Sequence, residues 1–131
     1  MTPDELLAKA RRALASAEVL AERGDPEGAC NRAYYAMFDA ARAGLLSLGA
    51  DARPGKSHSG LIAAFSLHWV KSGRVPLALG KAFNRAADLR LLADYTGSPI
   101  DETTAGDIIQ DARRFLEAIE AGIAAMGGSG S

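Results

Sequence analysis

The sequence predicts an all-α fold, an antiparallel up-down bundle of four to five helices, and three observations carry that expectation. Alanine fills 27 of the 131 positions while Val and Ile are sparse and scattered, a composition that favours helices with close axes over sheet. Apolar residues recur at three- and four-residue steps through most of the chain. The connections between the resulting helices are short, which favours antiparallel neighbours. A chain of 131 residues has the size of one ordinary domain, and residues 1–126 are expected to form it. The run from Gly127 to Ser131 reads as a flexible Gly/Ser tail.

The first helix opens at Thr2-Pro3-Asp4-Glu5. Thr2 caps, Pro3 suits the first helical position and Glu5 completes a capping box. Leu6, Ala10, Ala13, Ala17 and Leu20 keep the helical period until Gly24 stops it. Asp25-Pro26-Glu27 repeats the start signal for a second helix that reaches about Leu48-Gly49. Its stripe of Ala29, Ala33, Ala36, Ala40 and Gly44 reads as core, smooth enough for close approach of another element. Ala50 to Lys56 contains Pro54 and Gly55 and reads as a loop. A third helix follows Ser57 and reaches Val70 or Lys71; within it His68 reads as a packing residue. The fourth runs from Val75-Pro76 to Tyr95-Thr96-Gly97. The fifth starts after Asp101 or Thr103, with Ile108, Ala112, Phe115, Ile119 and Met126 on one stripe.

Composition excludes several function classes. One cysteine, Cys30, rules out an internal disulfide and a cysteine-rich zinc site and fits a reducing compartment. Two histidines without close spacing point to no metal site, and no cofactor motif is present: Gly55-Lys56-Ser57 lacks the upstream glycine and preceding strand of a phosphate loop. No run approaches the length of a membrane span, and the start of the chain is acidic rather than signal-like. A cytoplasmic location is therefore expected. The net charge of −1 argues against a generic polyanion binder, yet eleven Arg stand against four Lys. Arg suits bidentate phosphate or carboxylate contacts, so any nucleic-acid role must use a local patch.

Three groups of polar residues stand where a plain bundle would be apolar or featureless. On the fourth helix Arg90 and Asp94 fall in the stripe of Leu79, Phe83, Ala86 and Ala87, and their spacing allows an ion pair. That pair either sets helix register or faces a cleft or subunit interface. Lys81, Arg85 and Asp88 read as solvated surface. On the second helix Asn31, Tyr35, Phe38 and Arg42 share a face opposite the alanine stripe, with Arg32 and Asp39 alongside. This face either packs on a neighbour or binds a ligand, with Tyr35 stacking and Arg32 or Arg42 holding phosphate. At Lys56-Ser57-His58-Ser59-Gly60 a loop passes into a helix N-terminus. Such a terminus attracts anions, and its positive end together with Lys56 pushes His58 towards neutrality, ready to accept a proton. A plain cap with an incidental surface histidine is the alternative.

Three segments together resemble the HEPN superfamily, and within it the small stand-alone bacterial and archaeal HEPN proteins. They are Asn31-Arg32-Ala33-Tyr34-Tyr35-Ala36-Met37-Phe38-Asp39-Ala40-Ala41-Arg42, Lys56-Ser57-His58-Ser59-Gly60-Leu61 and Arg90-Leu91-Leu92-Ala93-Asp94-Tyr95. The resemblance implies a four- to five-helix bundle and a homodimer. It implies a metal-independent ribonuclease or RNA-binding toxin, commonly neutralised by a minimal nucleotidyltransferase antitoxin. The family's ribonuclease motif is an Arg followed after four to six residues by His, on the helix corresponding to the fourth here. Arg90 matches, but Asp94-Tyr95 stands where the His belongs. An ionised Asp accepts hydrogen bonds and donates none. His58 is the candidate replacement imidazole, which requires the fold to bring the start of the third helix to Arg90. The resulting expectation is an RNA- or nucleotide-binding, toxin-like module using Arg90, Asp94, Tyr95 and His58 for chemistry and Asn31, Arg32, Tyr35 and Lys56 for binding. The alternative is a non-catalytic dimeric partner of a nucleotidyltransferase, with Tyr95 accepting a transferred nucleotide.

Overall fold

The computed structural model of the chain describes residues 1–49 and 57–129. Among them are five helices and no strand: α1 (Pro3–Glu22), α2 (Pro26–Ser47), α3 (His58–Phe65), α4 (Leu77–Thr96) and α5 (Glu102–Ser129). The chain is all-α and bundled, as its composition indicates. The segment expected as a loop, residues 50–56, and with it Lys56, lies outside the described residues.

The start signals act as read. Thr2 Oγ1 accepts from the Glu5 amide at 3.1 Å and donates to the Glu5 carboxylate at 3.2 Å. Asp25 accepts from the Gly28 amide at 2.9 Å, Ser57 from the Gly60 amide at 3.0 Å, and Asp101 from the Thr104 amide at 2.7 Å. Each bond satisfies an amide that the first turn leaves without an intrahelical partner. Gly24 (φ 81°) and Gly97 (φ 65°) end α1 and α4 in the left-handed conformation that side chains rarely adopt. At the far end α5 continues to Ser129, into the run expected as a tail; residues 130 and 131 lie outside the described residues. The helical hydrogen-bond ladder simply propagates past Met126 once established.

Helix α2 is the central element, in contact with α1, α3, α4 and α5. Its alanine stripe is fully buried. Phe65, Trp69, Phe83 and Phe115 fill the core beside it, with ring centroids 5.1–6.0 Å apart. Trp69 shows what the small residues are for. A Cβ on Gly44 would lie 2.9 Å from its Cε2, and one on Gly122 2.6 Å from its Cζ3, so the indole fits only between two glycines. Trp69 is placed there by a π-helical turn, Ser66–Val70, that extends α3. The wider turn keeps Phe65 and Trp69 stacked at 6.0 Å and turns His68 and Leu67 out to solvent. The expectation of a packed His68 is thereby corrected: the turn's changed period, not the α-helical one, decides which side faces the core. No helix is long and apolar enough to cross a membrane among the described residues.

Candidate functional site

Where α2, the start of α3 and the second half of α4 meet, they enclose a cavity of about 430 Å³ lined by Tyr34, His58, Ser59, Asn84, Asp88 and Arg90 among others. The Ser57 cap makes His58 the first residue of α3 and so fixes its direction of entry. Tyr34 on α2 is completely buried. Its hydroxyl lies 2.8 Å from His58 Nδ1, and the two rings stack at 5.8 Å. Phe38 packs against the imidazole at 4.5 Å and against Tyr34 at 6.0 Å, with Tyr35 edge-on to His58 at 6.0 Å. From α4 the Arg90 guanidinium comes within 5.2 Å of the Tyr34 ring centroid and 5.6 Å of that of Tyr35. Its charge faces the negative faces of these rings. Arg90 Nε is buried with no hydrogen-bond partner among the described residues. The nearest carboxylate oxygen, Asp94 Oδ2, stands 3.8 Å away on a side chain that is 52% exposed. Such a pair contributes little to stability, and it leaves Arg90 with capacity for another anion.

Electrostatics follow from this packing. Burial first, and then the Arg90 charge, hold the His58 pKa below its ordinary 6.5. Among the described residues, burial and Arg90 thus both favour the neutral imidazole. Burial pushes the Tyr34 hydroxyl up to about 12 despite Arg90, so it stays protonated. A neutral imidazole either accepts at Nδ1 from Tyr34 or donates from Nδ1 to the Tyr34 oxygen. In the second arrangement Nε2 carries a lone pair able to take up a proton. No hydrogen bond to Nε2 is formed among the described residues.

The structure therefore unites Arg90 and His58, far apart in sequence, and adds Tyr34, which sequence reasoning did not single out. The signal was its position beside the core stripe, because a buried tyrosine hydroxyl must find a partner. Asp88 was read as ordinary solvated surface; it is exposed but lines this cavity, because the helix turns its flank towards α3. Arg90 also walls a second cavity of about 220 Å³, shared with Asn31 and Asp94. Arg32 is elsewhere: it lines a groove between α1 and α2, of which Tyr35 forms a wall. Tyr95 lies 83% exposed on the end of α4, lining none of these cavities. Lys56 lies outside the described residues. No group of three or more His, Cys, Asp or Glu side chains converges on one point among the described residues.

Comparison with known proteins places this geometry in a family. The chain is 36% identical over 121 residues to a UPF0332 protein of Gloeobacter violaceus, covering 89% of this chain and 94% of that protein. It is 39% identical over 114 residues to a UPF0332 protein of Thermotoga maritima, covering 86% and 83%. It is 34% identical over 115 residues to "Putative toxin MJ0605" of Methanocaldococcus jannaschii, covering 88% and 84%. The HEPN domain model matches residues 3–122, which span α1 to α4 and most of α5. The chain belongs to the HEPN domain family.

Proposed function

We propose that this protein is the toxin-like component of a toxin–antitoxin or defence system, and that it binds RNA at the Tyr34–His58–Arg90 cavity and cleaves it without a metal ion. The observation that carries the reading is the approach of His58 to Arg90. A base whose neutral form is favoured and a cation whose Nε makes no hydrogen bond among the described residues line one cavity. Family membership and the toxin proposed in the name of the archaeal relative support the biological class.

The chemistry needs only these side chains. With Nδ1–H donating to the Tyr34 oxygen, His58 Nε2 removes the proton from a ribose 2′-hydroxyl. The 2′-oxygen forms a bond to the adjacent phosphorus and the bond from phosphorus to the 5′-oxygen breaks, leaving a cyclic phosphate. Arg90 stabilises the extra negative charge on the phosphoryl oxygens, and the departing 5′-oxygen takes a proton from water. Asp94, half exposed, orients Arg90. Purified protein incubated with mixed RNA in a chelator should cleave it, and Arg90→Ala should lower the rate by about 100-fold or more, the usual effect of removing such a stabilising donor. Intact RNA under every condition removes the enzyme and leaves the binding module.

A second reading is supported by the exposure of Tyr95. A hydroxyl that is 83% exposed at the end of α4 is open to a nucleotidyltransferase partner. Its oxygen would attack the α-phosphorus of a nucleoside triphosphate, with pyrophosphate leaving. Mass spectrometry after co-expression with a neighbouring transferase should show a nucleotide adduct on Tyr95. An unmodified tyrosine excludes this role.

We also propose a homodimer. Leu91, Leu92 and Tyr95 are 42%, 50% and 83% exposed and close together on α4. Leu91 borders the cavity, so a second copy seated there would cover apolar surface beside the site.

A further inference from the structure

A separate groove of about 410 Å³ runs between α1 and α2 and gathers four basic side chains. Lys9 and Arg12 enter it from α1, Arg32 and Arg42 from α2. The one carboxylate among them is Asp39, 4% exposed and 3.7 Å from Arg42 Nη1. Among the described residues that line the groove, four cations face one carboxylate, in a chain whose net charge is −1. Other arginines are neutralised nearby: Arg11 pairs with Glu120 at 3.0 Å and Arg113 with Glu18 at 2.6 Å. Lys9, Arg12 and Arg32 form no ion pair within 4 Å among the described residues, and Lys9 and Arg32 share the one buried Asp39 carboxylate with Arg42. Cations left in one groove, beside neighbours that are paired, ask for an external anion.

The groove adjoins the Arg90–His58 cavity. Tyr35 and Phe38 line it, and the same two rings contact His58 at centroid distances of 6.0 and 4.5 Å. A wall one aromatic ring thick thus separates two anion-attracting sites. We infer that the α1–α2 groove seats backbone phosphates of a single-stranded RNA whose neighbouring phosphate enters the Arg90–His58 cavity across the Tyr35–Phe38 wall. The inference rests on the RNA reading above and adds a second site to it. The groove offers guanidinium and ammonium groups for phosphate oxygens, and Tyr35 offers a ring face on which a base stacks.

The test is binding of a fluorescent single-stranded RNA with 2′-methoxy groups, which has no 2′-hydroxyl to attack. Its anisotropy is followed from 50 to 200 mM KCl with the full chain, with Lys9→Gln/Arg12→Gln, and with Arg90→Ala. Lys9 and Arg12 are exposed and Gln is a good helix former, so the double variant keeps its fold, checked by circular dichroism. Each lost phosphate contact lowers the slope of log K against log salt by about 0.7 for single strands. The double variant should therefore flatten the slope by about 1.4 and bind about 25-fold more weakly at 0.1 M salt. A double variant equal to wild type in slope and affinity overturns the groove assignment; if Arg90→Ala still weakens binding, the RNA reading survives alone. Absence of binding by wild type at 50 mM salt overturns both. Displacement of the RNA by equimolar ATP or tripolyphosphate overturns the strand assignment and moves the groove to a free nucleotide or polyphosphate.

Discussion

Arg90 and His58, on which the proposed chemistry rests, take their properties from what surrounds them. The guanidinium lies over two tyrosine rings, and the imidazole packs against Tyr34 and Phe38. Because burial and Arg90 lower the pKa of His58 in the folded chain, the unfolded chain takes up its proton first as the pH falls. The stability contributed by neutral His58 is therefore fully present above the ordinary value of 6.5 and declines between 6.5 and the lower folded value. Urea midpoints measured from pH 7.5 to pH 5 should fall more steeply for wild type than for His58→Gln, which lacks the titrating group. Parallel curves would show that His58 titrates as it does in the unfolded chain. Arg90 and His58 were individually legible as polar residues out of place. Their meeting was not, because no periodicity relates the first residue of one helix to the middle of another.

At the scale of elements, caps and stops were written locally and were readable: Thr2, Asp25 and Ser57 each accept an amide of their own first turn. The π-helical turn Ser66–Val70 was not readable. Its hydrogen bonds, such as Lys71 N–H to the Ser66 carbonyl at 2.8 Å, follow from how Trp69 must sit between α2 and α5. The glycines that admit Trp69 make a sharp prediction. In an ordinary helix Gly→Ala stabilises by up to about 1 kcal/mol. In Gly122→Ala the new methyl would lie 2.6 Å from Trp69 Cζ3, and overpacking of this kind costs about 1–3 kcal/mol. Thermal unfolding should show a lower Tm for Gly122→Ala, whereas Gly106→Ala, with open space around its Cβ, should match or exceed wild type. Equal behaviour of the two variants would mean that the indole is not so confined.

At the scale of the whole molecule, α4 carries a core face at Phe83, Ala86 and Ala87 and an exposed apolar end at Leu91, Leu92 and Tyr95. A homodimer closing on that end predicts that Leu92→Glu shifts sedimentation equilibrium to the monomer by at least 10-fold in Kd, since about 1.4 kcal/mol suffices for that factor and burying an unpaired charge costs more. Unchanged mass would place the interface elsewhere. Helix number, the capped helix starts and the buried stripe of α2 were determined by the sequence itself, since capping, propensity and period act over a few neighbouring residues. Only the tertiary structure decided that Tyr34 holds His58, that Arg90 joins them, that Arg32 belongs to a different groove, and that Tyr95 stands in solvent. Those outcomes depend on how helices rotate and approach one another around Trp69 and the alanine stripe, and packing of that kind is set by many distant side chains at once.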